Sequence, residues 1–103
     1  MSSNLTPSAI LKGNIMFGAK HILVKTLNEA VALRQLIVDG TPFESAAMQS
    51  SLCPSKQSGG DLGTFQPGMM VKPFEDAVVG MEVGSLSQPV QTQFGYHLIK
   101  RTA

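Results

Sequence analysis

The chain has 103 residues, a formal net charge of +1, 43% hydrophobic residues and 15% charged residues. A chain of this length forms one domain and buries roughly 60–65% of its unfolded surface. These values exclude a disordered main body. The eight Lys and Arg residues are scattered along the sequence, which argues against nucleic acid as a partner, because nucleic-acid binding needs a basic face.

The only cysteine is Cys53, so no intrachain disulfide can form, and a lone cysteine fits a reducing compartment. The first residues lack the basic leader and apolar core of a secretion signal. No apolar run approaches the roughly 20 residues that a membrane span needs. We therefore expect a soluble, cytoplasmic protein that does not bind membranes, and we expect it to be a monomer.

Residues 1–17 form an N-terminal extension, and residues 18–103 form the main domain. Within the extension, Thr6-Pro7 offers a helix start and Gly13 offers a stop. A helix this short is marginal without packing, so a loose tail remains an equal alternative.

The first strand and the first helix follow directly. The segment Lys20–Lys25 alternates and reads as a strand, with His21 and Leu23 on one face. Thr26–Glu29 has the Thr-x-x-Glu pattern of a capping box. The helix that it opens ends at Gly40, and its apolar stripe is predicted to consist of Ala30, Leu33, Ile37 and Leu36.

A second helix is predicted from the capping box Thr41–Glu44, with proline at its first position, to about Ser51. Beyond it, Ser55–Gly60 reads as a polar loop. Later elements are a short strand at Leu62–Phe65, a helix starting at Lys72-Pro73, an edge strand at Pro89-Val90 and a last strand at Tyr96–Arg101. Helix blocks between strands, with hairpin-like endings, indicate an α+β fold with an antiparallel sheet.

His21 and His97 are the first candidates for chemistry. Taken alone, each is most often a core histidine whose ring is satisfied by a neighbouring oxygen. Two histidines in two strands of one small sheet can instead stack and share a hydrogen bond, in which one nitrogen donates and the other accepts.

Cys53 allows three interpretations. It can be an inert buried thiol, which is the commonest fate of a lone cysteine. It can be a nucleophile, which would need a histidine within hydrogen-bond reach and an oxyanion hole. It can be a zinc ligand with His21 and His97, although no fourth ligand is evident.

The run Gly59–Gly63 matches neither the dinucleotide fingerprint nor the Walker motif, so a tight turn into a strand explains it better. Met69, Met70 and Phe74 are typical core residues. They can equally line a pocket, where thioether flexibility suits varied ligands.

Taken together, these residues resemble the parvulin family of peptidyl-prolyl cis/trans isomerases. The resemblance runs from about Ala19 to Arg101. It is carried by the following motifs: His21–Val24, Gly59–Phe65, Gly68–Phe74, Gly84 with Pro89–Val90, and Phe94–Lys100.

The resemblance implies an α+β fold in which about four helices surround a four-stranded antiparallel sheet. It implies a proline pocket formed by Leu62, Met70 and Phe74, with Phe94 at its mouth. It also implies a polar catalytic wall that comprises His21, Cys53, Thr92 and His97.

By the same resemblance we expect a non-covalent isomerase that assists protein folding, without metal or cofactor. Its partners would be proline-containing peptides and unfolded or partly folded client proteins. One branch of the family selects phosphorylated Ser/Thr-Pro with a basic cluster after the first strand. Here Lys25–Glu29 contains one cation, so we expect an apolar residue before proline and no phosphate preference. The alternatives are a non-catalytic X-Pro-binding or chaperone-like module, and a thiol hydrolase or zinc protein.

Overall fold

The computed structural model describes residues 16–103. The predictions for the extension before Met16, a short helix or a loose tail, lie outside the described residues. The elements in chain order are β1 (Phe17–Val24), α1 (Leu27–Val38), α2 (Phe43–Ser50), a 3₁₀ helix (Pro54–Ser58), β2 (Asp61–Phe65), α3 (Lys72–Val79), β3 (Val90–Thr92) and β4 (Gly95–Arg101).

The four strands form one antiparallel sheet in the order β2-β1-β4-β3. This confirms the predicted α+β class and the four-stranded sheet. Within residues 16–103, three α-helices and one 3₁₀ helix accompany the sheet. The strand β3 directly follows Pro89 and lies at the edge of the sheet, where proline's missing N–H removes no ladder hydrogen bond.

The two central strands give the sheet two distinct faces, because side chains alternate along a strand. Ile22 of β1 and Leu98 of β4 are paired, fully buried and packed in the core under α1 and α2. Ala19 and Ile99 lie on the other face, in the core that includes Phe74 of α3. His21 follows the same alternation, so it lies on the α3 face.

Helix α1 begins as predicted. Thr26 Oγ1 accepts a hydrogen bond from the Glu29 N–H at 3.2 Å, and Glu29 Oε1 accepts one from the Thr26 N–H at 3.1 Å, which completes the capping box. Ala30 is buried. The prediction for Leu36 is wrong, because its side chain is 52% exposed. At about 100° per residue it lies about 100° around the helix from Ile37 and about 120° from Ala30.

The second predicted capping box is also wrong. Pro42 occupies the N-cap position of α2, and no side chain caps the helix. Glu44 Oε2 instead accepts a hydrogen bond from Lys20 Nζ at 2.6 Å, and this bond lowers the pKa of Glu44. A partner 24 residues away in the sequence has replaced the local cap.

The predicted polar loop at Ser55–Gly60 contains a short 3₁₀ helix, so that prediction is wrong as well. The two glycines after the helix have φ angles of 68° and 86°, in the left-handed region that favours glycine. The carbonyl of Gly60 accepts a hydrogen bond from the His21 N–H at 2.9 Å. This contact fixes the segment after Cys53 against β1. No helix in residues 16–103 has the length and apolar character needed to cross a bilayer.

Candidate active site

A cavity of about 470 Å³ opens on the sheet face that carries both histidines. Its lining residues are His21, Leu23, Leu52, Cys53, Pro54, Leu62, Met69, Met70, Val71, Phe74, Phe94 and His97. Seven of the eight residues predicted for the site therefore line one cavity. The eighth, Thr92, lies behind His97 and does not line it.

Sequence reasoning missed four of the lining residues: Leu23, Leu52, Pro54 and Val71. For Leu23 the signal was present, since it shares a strand face with His21. Leu52 and Pro54 flank Cys53, but their side-chain directions depend on the course of an irregular segment.

The apolar floor of the cavity consists of Leu62, Met70 and Phe74. Phe74 is 3% exposed, and the other two are partly buried against it. Its ring meets both imidazoles edge-on, at centroid distances of 5.6 Å from His21 and 5.4 Å from His97. Phe74 therefore joins the apolar floor to the polar wall.

The polar wall centres on His21 and His97, which we call the histidine pair. Their Nδ1 atoms lie 2.9 Å apart, and the rings stack with an interplanar angle of 19° and a centroid distance of 5.1 Å. Both side chains are buried. At this distance one Nδ1 donates and the other accepts, which fixes the tautomer of each ring.

Thr92 extends this network. Its Oγ1 accepts a hydrogen bond from the Phe94 N–H at 3.1 Å and lies 2.7 Å from His97 Nε2. If the hydroxyl donates to His97 Nε2, then His97 Nδ1–H donates to His21 Nδ1, and His21 carries its proton on Nε2. This arrangement uses the Thr92 hydroxyl hydrogen and the His97 Nδ1–H, and it leaves the His21 Nε2–H. His21 Nε2 is buried and has no hydrogen-bond partner within the part of the chain that the structure describes.

Burial keeps both rings neutral. Desolvation, with a smaller effect from the charge of His97, lowers the pKa of His21 to about 4. Desolvation also lowers the pKa of His97. At neutral pH the histidine pair is therefore uncharged, and it can both donate and accept hydrogen bonds.

Cys53 is half-buried at the edge of the cavity. Ser51 positions it, because Ser51 Oγ accepts hydrogen bonds from the N–H groups of Leu23 at 3.1 Å and Cys53 at 3.2 Å. In residues 16–103, the hydrogen bonds of the two imidazoles run to each other and to Thr92. The thiol is therefore not paired with a base, as a thiol nucleophile would be.

A zinc site at Cys53, His21 and His97 has no support in the described part of the chain. Within residues 16–103, no three His, Cys, Asp or Glu side chains are grouped so that they could hold a metal ion. A structural zinc site needs four such ligands.

Comparison with known proteins agrees with this geometry. Residues 18–103 match the family model described as Rotamase, PPIC-type PPIASE domain. Foldase protein PrsA 4 of Bacillus cereus is 51% identical over 83 residues, which are 80% of this chain and 30% of that protein. Peptidyl-prolyl cis-trans isomerase Pin1 of Arabidopsis thaliana is 46% identical over 89 residues, covering 82% of this chain and 75% of that protein.

Solved structures are similar as well. The parvulin NmPin of Nitrosopumilus maritimus matches with a TM-score of 0.77 and 42% identity, over 85% of this chain and 96% of that one. The PrsA structure from Bacillus anthracis matches with a TM-score of 0.85 and 39% identity, over 93% of this chain and 45% of that one. The chain spans about a third or less of the length of the first PrsA relatives. On the family match, the relatives and the shared fold, this chain belongs to the parvulin, or PPIC-type, family of peptidyl-prolyl cis/trans isomerase domains.

Proposed function

We propose that this domain accelerates cis/trans isomerisation of X-Pro bonds in polypeptides and thereby assists protein folding. The observation that carries the proposal is the apolar floor of Leu62, Met70 and Phe74 lying against the buried histidine pair in one cavity. An apolar recess of this kind suits the proline ring, and the polar groups beside it suit the preceding carbonyl. The names of the relatives, foldase and peptidyl-prolyl isomerase, support the same function.

The rotation barrier defines what the site must do. An X-Pro bond faces about 18–20 kcal/mol and isomerises unaided in tens to hundreds of seconds. To bring this time to milliseconds, the rate constant must rise by on the order of four decades, which means lowering the activation free energy by about 5–6 kcal/mol. No covalent bond need form, since rotation becomes easier as the double-bond character of the amide C–N bond falls.

The cavity can supply this energy by preferring the twisted amide. Holding the proline ring on the apolar floor removes water from the bond, and desolvation disfavours the polar planar amide relative to the less polar twisted one. Preorganised donors that meet the carbonyl only in the twisted state add to the effect. In this mechanism Thr92, His21 and His97 set the polarity of the wall as one network, and Cys53 acts as an electrostatic neighbour.

The residue before proline is proposed to be apolar. Leu52 and Phe94 stand at the cavity with 54% and 58% of their surface exposed, so they offer apolar contacts at its mouth. The turn after β1 provides a single cation, Lys25. A phosphate before proline would need several cations or a bidentate arginine.

A binding module without turnover is the second candidate. It is favoured by the exposed apolar side chains of Leu52, Met69 and Phe94 around the cavity, which could hold client segments that contain no proline.

Isomerisation rates for peptides that differ only before proline test both the function and the preference. We expect the highest kcat/KM with Leu and the lowest with Glu or phosphoserine. A higher rate with the acidic residues would contradict the proposed preference. Binding of every peptide without any acceleration would support the module instead.

The cytoplasmic location and the monomeric state stay predictions. Cell fractionation tests the first, and sedimentation of the purified protein across a concentration series tests the second.

A further inference from the structure

The cavity at the histidine pair adjoins a second depression at Leu52. Leu52 also lines a small cleft of about 70 Å³, with Val24 and Ser50 among its other walls. That cleft shares Val24, Glu29 and Ser50 with a larger one of about 330 Å³ between α1 and α2. The shared walls make the three depressions neighbours on the surface. We define the flank groove by the residues that line the two clefts: Val24, Lys25, Glu29, Ala32, Leu33, Ser50 and Leu52.

The flank groove has an apolar floor and a polar edge. Val24 is 4% exposed and Leu33 is partly buried on the core, so both present aliphatic surface from below. The Glu29 carboxylate stands at the edge and accepts hydrogen bonds from Thr26. Lys25 lines the same small cleft, so the edge carries one charge of each sign and selects neither an acidic nor a basic side chain. The aliphatic floor favours an apolar one.

We infer that the flank groove binds an aliphatic side chain of the client peptide, two to four residues away from the proline that occupies the main cavity. This inference rests on the proposed function. An extended peptide advances about 3.3–3.6 Å per residue, so a few residues are enough to pass Leu52. The exposed Leu52 side chain, which contributes to both depressions, would contact the peptide between the two anchored side chains.

Size and position favour a client flank over a second copy of the chain as the occupant. The larger cleft has about 330 Å³, which is room for one or two side chains. A stable protein–protein contact buries about 800 Å² on each partner. The groove meets the cavity in which the proline would sit at Leu52, so a client that is already bound reaches it without a second loss of translational freedom.

Two charge-matched variants test the inference. Ala32→Lys places a long side chain in the flank groove on an exposed helix position. Val31→Lys adds the same charge to the neighbouring position of α1, which is 53% exposed and lines none of the three depressions. Circular dichroism of both variants shows whether α1 is retained.

The substrates share one Leu-Pro core and carry a three-residue extension on either the N-terminal or the C-terminal side, with Leu or Ser in it. For wild type and Val31→Lys we expect kcat/KM for the Leu extension to exceed that for the Ser extension by about fivefold on one side, because an aliphatic side chain is partly buried. In Ala32→Lys we expect this ratio to fall to about one. Which side shows the ratio assigns the direction of the peptide.

Equal rates for Leu and Ser extensions on both sides of wild type overturn the inference, as does a ratio that survives in Ala32→Lys. NMR shifts of the Ala32 and Ser50 amides provide a readout that does not depend on turnover. We expect them to move on titration with the Leu-extended peptide. If they move only as the protein concentration rises, a second copy occupies the groove and the inference fails. If no peptide is isomerised but these amide shifts change with the Leu extension, the proposed isomerase activity is contradicted and the binding of the extension in the groove is supported.

Discussion

The Nδ1 atoms of His21 and His97 lie 2.9 Å apart, although 76 residues separate them in the sequence. The contact exists because β1 and β4 are central neighbours in the sheet and present both rings on one face. Phe74 closes the pair edge-on from α3. A buried, uncharged polar pair is thus fixed next to an apolar floor.

The first prediction concerns Thr92. Thr92→Val removes the hydroxyl that bonds His97 Nε2 and that accepts the Phe94 N–H. Leaving buried polar groups unpaired costs about 1–3 kcal/mol, so urea unfolding should show a loss of that size. We also expect kcat/KM to fall roughly tenfold, which corresponds to about 1.4 kcal/mol of transition-state stabilisation.

Thr64→Val is the matched control for that variant. Thr64 lies in a strand but is exposed. The free energy of unfolding of Thr64→Val should therefore differ from that of wild type by less than about 0.5 kcal/mol. Equal behaviour of the two variants would show that the Thr92 hydroxyl does not support the histidine pair.

The second prediction concerns pH. The pKa of His21 is lowered to about 4 and that of His97 is also lowered. Between pH 6.5 and about 4 the unfolded chain therefore binds protons that the folded chain does not, and stability falls as the pH is lowered through this window. From pH 7 to pH 5 we expect His21 alone to account for a loss on the order of 2 kcal/mol.

Urea unfolding at pH 7 and pH 5 measures this loss. Glu44 remains ionised at both values, because its hydrogen bond with Lys20 lowers its pKa. The variant His21→Leu should show a smaller loss between the two pH values than wild type does. An equal loss in both proteins would mean that His21 is not held neutral by the fold.

The third prediction concerns the thiol. We expect Cys53→Ser to keep at least about a tenth of the wild-type kcat/KM, since a hydroxyl is also an uncharged polar neighbour. Cys53→Asp should be slower but still measurable, because a carboxylate at the edge of an apolar cavity is poorly solvated. A thiol enzyme would lose essentially all activity in both variants, and that result would refute the non-covalent mechanism.

The fourth prediction concerns the turn that fixes β1. Gly60 has φ 86°, and a Cβ there would clash with the His21 carbonyl oxygen. Gly63 also has a positive φ, 69°, but a Cβ there meets no atom within 4 Å. Gly63→Ala should therefore lower the free energy of unfolding by only about 1–2 kcal/mol, because alanine is disfavoured in the left-handed conformation. Gly60→Ala should lower the free energy of unfolding by clearly more, because of the added clash. Urea unfolding of the two variants measures the difference.

The features that could be predicted from the sequence are those set by local patterns. Strand alternation placed His21 and Leu23 on one face, and the Thr26–Glu29 pattern placed the start of α1, because both depend on residues within a few positions of each other. Glycine and proline residues predicted the bounds of β2 to within one residue and the start of α3. The grouping of the site residues came from the resemblance to the parvulin family, since no local pattern brings β1 and β4 together.

One error arises because a residue distant in the sequence binds a side chain that the local pattern assigns to a cap, and two others arise where the chain has no apolar period. Glu44 fits the pattern of a capping box as well as Glu29 does. Its carboxylate instead accepts a hydrogen bond from Lys20, which is distant in the sequence. The 3₁₀ helix at Pro54–Ser58 has no apolar period to reveal it, although a proline at its start and the left-handed Gly59 at its end are helix-boundary signals. The contribution of Leu52 to the cavity depends on how the chain leaves α2, which no periodicity describes.

The central claim is that the apolar floor beside the histidine pair catalyses X-Pro isomerisation. The most direct measurement is the exchange rate of a Leu-Pro peptide with wild type, Met70→Asp and Met48→Asp. Met70 belongs to the floor, whereas Met48 is 58% exposed on α2 and lies outside the cavity. We predict strong acceleration by wild type and Met48→Asp and a loss of about a hundredfold or more in Met70→Asp, since a buried charge expels the proline ring. Equal acceleration by all three proteins, or peptide binding by wild type without acceleration, would contradict the account.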